Sequence, residues 1–248
     1  MAPYLKSILR SLYYLFNNGS ITSMKGYKHL ENCKWIIDRR LGMAYYKGYY
    51  EPEICAYLLR NITPDGVFVD VGAHAGYFSL FSKMLATNGA VYSFEPEPNN
   101  FSYIQTIKNL NKVSDWHIFN QAVGAENGTL FFKKGSSSTT GKIEENGDLP
   151  VKVVRLDDIL SAVERVDIIK IDVEGFGGRV LEGAEGIIRK FKPTIMFELH
   201  KGSDELDVIT TMLGNEYKLT DLDTGQSISG SGYPHFIIAE VLDVNKVH

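Results

Sequence analysis

From residue 61 onward, short apolar runs rich in β-branched and aromatic residues alternate with helical patterns, and this alternation admits very few architectures. The runs are VFVDV (67–71), AVYSF (90–94), WHIFNQAV (116–123), VDIIKIDV (166–173), PTIMFEL (193–199) and HFIIAEV (235–241). Helical spacing fills 76–86, 98–111, 177–190 and 203–213. In the third of these stretches Val180, Leu181, Ala184, Ile187, Ile188 and Phe191 make one apolar stripe, stopped by Pro193. Strands apolar on both faces, joined by amphipathic helices, predict an α/β fold with a mostly parallel sheet covered on both sides. Residues 124–155 interrupt the rhythm: TLFFKK, a Ser/Thr/Gly loop and VKVVRL read as a hairpin-like insertion.

Ahead of this pattern, residues 1–60 read as an N-terminal helical extension packed on a main domain of residues 61–248. Leu5, Ile8, Leu9, Leu12 and Phe16 recur at the spacing of one helix face, and Asn17-Asn18-Gly19-Ser20 ends it. Acidic residues outnumber basic ones by 30 to 26, so a protein that coats nucleic acid is not expected. Two cysteines, Cys33 and Cys55, are too few for a disulfide framework and fit a reducing compartment. No apolar run reaches the roughly 20 residues of a membrane span, and the first residues lack a secretory cleavage pattern. A cytoplasmic location is therefore the expectation. The oligomeric state is not legible.

The stretch VFVDVGAHAGYFSLF (67–81) carries the most chemistry. A buried strand runs into a turn, and Gly76 opens a helix. In open α/β sheets ligands sit at the carboxyl ends of strands, and glycine lets backbone approach them. The spacing here is G-x-x-x-G, not the G-x-G-x-x-G of dinucleotide enzymes, and Asp70 beside the turn disfavours a pyrophosphate. It suits a ligand with a cationic end, such as S-adenosylmethionine. Glu95 follows Gly72 by 23 residues and ends the second run, where an acid can bind ribose hydroxyls. The polar tip Asn120-Gln121 can read an adenine edge. Asp70 and Glu95 as plain cap or turn residues remain the alternative.

The chain resembles the FkbM-type methyltransferases, a branch of the class I S-adenosylmethionine-dependent fold. The carrying residues are GYYEPE (48–53), VDVGAHAGYFSL (69–80), FEPEP (94–98), NQAVG (120–124), IKIDVEG (169–175), VLEGA (180–184) and FELH (197–200). The resemblance implies a Rossmann-like sheet of seven strands with the last antiparallel, and methyl transfer to a hydroxyl of a sugar, glycan or natural product. It assigns the cofactor to Asp70, Gly72, Ala73, His74, Gly76, Glu95, Pro96, Asn120 and Ala122. His74 stands where Asn is commoner, and Gly177-Gly178 where an acid often follows DVEG.

An alcohol is a poor nucleophile near neutral pH, so a base or a metal should help. The fourth run delivers Asp172 and Glu174, and the fifth Glu198 and His200, each pair two residues apart and on one side of a regular strand. Asp172, Glu174, Glu198 and His200 are thus the expected catalytic group. Asp172 and Glu198 also make a divalent-metal pair (magnesium or manganese), and Glu174 alternatively caps the next helix. His117 and His235 read as structural residues within strands. GSSSTTGKI (135–143) departs from the phosphate-loop pattern and reads as a loop over the acceptor pocket, with Ser136 to Thr140 and Lys142 as sugar or anion contacts. Competing functions are a catalytically silent nucleoside-binding scaffold and a nicotinamide-dependent oxidoreductase.

Overall fold

The computed structural model describes residues 13–133, 142–143, 147, 149–200, 205–214, 216–228 and 234–242, so the loop Ser136–Thr140 lies outside the described residues. Seven strands form the main sheet: β1 (Val67–Val71), β2 (Ala90–Phe94), β3 (Trp116–Phe119), β4 (Ile168–Ile171), β5 (Thr194–Glu198), β6 (Tyr217–Asp221) and β7 (Phe236–Val241). Their order is β6-β7-β5-β4-β1-β2-β3. Strands β1 to β5 pair in parallel, whereas β7 runs antiparallel to both β5 and β6. The helices that matter here are α1 (Pro52–Asn61), α2 (Tyr77–Leu85), α3 (Pro98–Asn111), α4 (Gly177–Glu182), α5 (Glu185–Phe191) and α6 (Glu205–Leu213).

Alternation along the strands splits the core in two. Phe68, Ile168, Met196 and Ile238 face one way and pack with α2, α1 and the segment 14–50. Val69, Val71, Ile169, Ile171, Ile195 and Phe197 face the other way, under α4, α5 and α6. Both faces are covered, as strands without polar alternation require.

Four features differ from the sequence reading. The run 116–123 breaks after Phe119, and Ala122–Val123 leaves the main sheet to pair with Val153 and Val154. That second sheet is the insertion, in which Gly128–Lys133 lies antiparallel to Leu149–Val154. The stretch 177–190 is two helices, parted where Gly183 presses on the Gly124 carbonyl; a Cβ there would come within 2.0 Å of that oxygen. Strand β6 carries only a half-buried edge, so its sequence YKLTD lacks the apolar run that marks the others. In the N-terminal segment, Ile21–Ser23 and Lys34–Ile36 make an antiparallel hairpin, and Tyr14 is buried while Phe16 is 78% exposed. No helix among the described residues is long and apolar enough to cross a membrane.

Candidate active site

Register decides which side chains meet. Asp70 on β1 lies opposite Lys170 on β4, and Lys170 opposite Met196 on β5. Residues 70, 170, 172 and 198 therefore share the face covered by α2 and the N-terminal segment. A charged side chain in the middle of that face needs partners. Lys170, 2% exposed, places Nζ 2.8 Å from Asp172 Oδ2 and 5.1 Å above the Phe78 ring. Burial works against its charge, yet Asp172, Asp70, Glu51 and Glu198 together raise its pKa above the usual lysine value. Asp172 is held below the ordinary carboxylate range in spite of burial, because Lys170 sits against it. Burial and the Asp172 charge push Glu198 the other way, to about 8.

Beyond the strand tips the chain turns. Strand β4 ends at Ile171, so Glu174 lies in the turn before α4 and not on a strand face. It still reaches the group: His200 Nε2 is 4.0 Å from Glu174 Oε2. Glu174 makes no cap hydrogen bond to α4, whose cap position falls on Phe176. His200 is anchored from behind by Glu205, 2% exposed at the start of α6. Glu205 accepts the backbone N–H of His200 (3.1 Å) and of Gly177 (3.3 Å), and lies 3.6 Å from His200 Nδ1. Glu205 first, then Glu174, Asp172 and Glu198, raise the His200 pKa against the lowering effect of burial. Gly177 is required because a Cβ there would fall 2.0 Å from the Phe197 ring, which accounts for the missing acid after DVEG.

The glycine turn has its own order. Gly72 (φ +83°) is needed because a Cβ would lie 1.9 Å from the Asp172 carbonyl oxygen, so the close approach of the turn to the β4 tip alone requires a glycine here. Gly76 (φ +74°) likewise packs on Ile104 and Trp116. The Gly72 and Ala73 N–H groups both donate to the Phe94 carbonyl, and Gly76 N–H to the Ala73 carbonyl. These three N–H groups are spent within the turn and its neighbouring strand. His74 holds φ +48°, a left-handed conformation in which Asn, Asp and His are enriched, so histidine substitutes for asparagine here without loss of backbone fit. Its N–H donates to Glu95 Oε2 at 2.8 Å, while Glu95 Oε1 takes the Glu97 N–H at 2.9 Å. Burial pushes Glu95 to about 8. Asp70 accepts the Ser79 hydroxyl through Oδ2, in a buried chain that continues to Ser93 and Trp116. Asn120 spends its amide N–H groups on the Glu95 and Pro96 carbonyls, so only its Oδ1 is left for a base edge. Ala122 is buried in the small sheet, packed with Val151 and Val153.

A family model described as Methyltransferase FkbM domain matches residues 70–219. The chain belongs to the FkbM methyltransferase family. It is 26% identical over 175 residues to Methyltransferase 1 of Beauveria bassiana (strain ARSEF 2860), a match covering 60% of this chain and 70% of that one. A crystal structure of Methyltransferase FkbM from Methylobacillus flagellatus KT superposes with a TM-score of 0.53 at 19% identity, over 71% of this chain. The chain spans 44% of the length of that protein. The likeness supports the fold: a class I, Rossmann-like sheet with an antiparallel last strand.

In this FkbM-family chain the residues at the turn fit S-adenosylmethionine. Asp70 Oδ1 is buried with no hydrogen-bond partner among the described residues, which suits a cationic ligand, and Glu95 Oε2, which accepts only the His74 N–H, keeps acceptor capacity for a ribose hydroxyl. Three residues of the site escape the sequence reading. Lys170 was marked by its place within the apolar run IIKI. Glu51 is half-buried, interacts electrostatically with the same group and carries no periodic signal. His235, read as structural, is 57% exposed with Nε2 3.1 Å from Glu198 Oε1. An antiparallel strand begins where its parallel neighbours end, so the residue before β7 arrives at the site.

Proposed function

We propose that this chain transfers a methyl group from S-adenosylmethionine to a hydroxyl oxygen of a sugar, glycan or natural-product acceptor. The observation behind this reading is the convergence of Asp172, Glu174, Glu198 and His200 beyond the β4 and β5 tips, beside the glycine turn of β1. S-adenosylmethionine, when bound, supplies a methyl group already activated on a sulfonium, so the chain's task is alignment and removal of one proton. Glu95, raised to about 8 by burial, exchanges hydrogen bonds with the ribose hydroxyls, and Asp70 faces the cationic end. His200, steadied at Nδ1 by Glu205, takes the acceptor proton at Nε2, and Asp172 and Glu174 stabilise the imidazolium that results. Glu198, protonated near neutrality, donates to a further acceptor oxygen. Such a set of donors and acceptors suits a polyhydroxylated molecule.

One observation favours a second reading: Asp172, Glu198 and His200 each bring a ligand atom within 4.8 Å of one another, so a magnesium or manganese ion is an alternative way to acidify the hydroxyl. The Lys170 ammonium weighs against it, since it already occupies one oxygen of Asp172. Incubation with S-adenosylmethionine and a glycan library, read by mass spectrometry for the gain of one methylene mass, tests the transfer. Turnover that survives chelator and collapses in His200→Ala supports the base. Loss with chelator and rescue by manganese moves the chemistry to the metal. Wild-type turnover in Asp172→Asn, Glu198→Gln and His200→Ala, all folded, would place the site elsewhere.

A further inference from the structure

The N-terminal segment lies outside the stretch matched by the family and presents a surface that neither fold nor chemistry has yet used. Residues 13–17 are helical, and tyrosines set their inward side: Tyr14 is buried, and the Tyr46 hydroxyl donates to the Tyr13 hydroxyl at 2.9 Å. Leu15 therefore points to solvent, 73% exposed, together with Phe16, which does not pack on the body as its helical spacing predicts. The chain turns at Asn18-Gly19 into the hairpin, where Ile21 is 58% exposed. Pairing of Ile21 with Ile36 and of Ser23 with Lys34 puts Ile21 and Lys34 on one hairpin face, with Trp35 buried on the other. The Lys34 ammonium, donating to the Ser23 hydroxyl at 2.9 Å, agrees with that placement. Arg39, also exposed, is tied to the same corner, since its N–H donates to Asn18 Oδ1 at 2.7 Å.

Charge sorts the candidates for what covers this corner. Residues 13–50 carry six basic side chains, all exposed, and two acidic ones, whereas acids prevail by 30 to 26 in the whole chain. A partner with negative charge is called for. Nucleic acid supplies the charge, but its backbone leaves exposed Leu15, Phe16 and Ile21 with nothing to bury them. A bilayer with anionic headgroups supplies both, because aliphatic and aromatic side chains enter the acyl boundary while lysine and arginine stay at the phosphates. We propose that Leu15, Phe16 and Ile21, with Lys34 and Arg39 beside them, seat the enzyme on an anionic lipid surface. The corner adjoins the candidate site: Asp38 interacts electrostatically with His74, and Arg40 with Glu97, beyond the carboxyl ends of β1 and β2. An enzyme seated this way holds its site beside the bilayer, which suits an amphiphilic acceptor. The docking itself does not depend on which acceptor is methylated.

Co-sedimentation of the full chain with two sets of vesicles tests it: phosphatidylcholine alone, and equal parts phosphatidylcholine and phosphatidylserine. Binding should strongly favour the second set and fall with added salt, which screens the attraction. Lys34→Gln and Arg39→Gln should each weaken partitioning about five-fold. Leu15→Ser combined with Phe16→Ser should weaken it about ten-fold or more, at an unchanged melting temperature, because both side chains are exposed in the free protein. No binding of the wild type to the mixed vesicles would overturn the proposal, and so would equal binding to both sets. Wild-type partitioning of the double serine variant would also overturn it, leaving the basic residues to act alone, as they would on nucleic acid or an acidic protein. If that variant instead splits a wild-type dimer in light scattering, with vesicle binding unaltered, the corner belongs to a second copy of the chain and the lipid assignment falls.

Discussion

Replacing Lys170 by methionine keeps the length and packing of the side chain over Phe78 but removes the ammonium from a site that is 2% exposed. Breaking a buried pair from one side costs about 3–5 kcal/mol, since the partner is left charged and uncompensated. The Asp172 side chain is 29% exposed, and water there recovers part of the loss, which puts the expectation near the lower end, about 3 kcal/mol. For a chain of this size that is a fall in Tm of about 6–12 °C. The pair also fixes a pH window. Asp172 has a lowered pKa in the fold, so its share is present above the unfolded value of about 3.9 and is lost as pH falls through the folded one. Lys170 has a raised pKa, so its share is present below about 10.4 and is lost as pH rises through the folded value. The deficit of Lys170→Met should be full between about pH 4 and pH 10. Urea unfolding at pH 7 of Lys170→Met, Asp172→Asn and the double variant isolates the interaction, expected at about 2–3 kcal/mol of coupling. Additive losses, with coupling under about 0.5 kcal/mol, would refute the reasoning and reduce Lys170 to a packing residue.

Three further outcomes follow from the geometry. If His200 is the base, kcat should rise with pH through an inflection above the ~6.5 of free histidine, because Glu205 and the nearby acids favour its charged form; Glu205→Gln should bring the inflection down, and an unmoved profile would separate the two residues. Gly72→Ala should cost more than about 4 kcal/mol or prevent folding, since its Cβ would sit 1.9 Å from a carbonyl oxygen at a left-handed φ; a soluble variant with wild-type melting would contradict the close approach of β1 and β4. His235→Ala should raise the acceptor KM and leave S-adenosylhomocysteine affinity unchanged, because the exposed His235 side chain meets Glu198 and not the residues of the glycine turn in any hydrogen bond or ion pair among the described residues; equal loss of both, measured by kinetics and calorimetry, would make it structural.

The parts of the fold that were legible in the sequence are those where one local rule suffices. VFVDV, its glycine turn and the helix from Tyr77 follow from an apolar run, left-handed glycines and a one-sided stripe, and Glu95 follows from its distance to the turn. Where two distant segments share a surface, local rules fall short. The spacing of Gly72 is right, but its cause is a carbonyl supplied by residue 172, a hundred residues away in the chain. Lys170 looks anomalous in IIKI, and only register against Asp70 explains it. The strand YKLTD lies at an edge with its polar residues in water, so it lacks the pattern of a buried strand. Glu174 meets His200 across a turn, which strand alternation cannot express. The loop expected over the acceptor pocket, Ser136 to Thr140, lies outside the described residues.

Strand β7 is last in chain order but not last in space. It enters between β5 and β6, so β6 has no partner in the main sheet until residues 236–241 have been made. During synthesis the β5 edge stays open, and His235 is absent, until that last stretch is made. Long-range closure of this kind is slow, and an unpaired edge beside Ile195 and Phe197 is a template for mispairing. Closure of the main sheet therefore waits on residues 236–241.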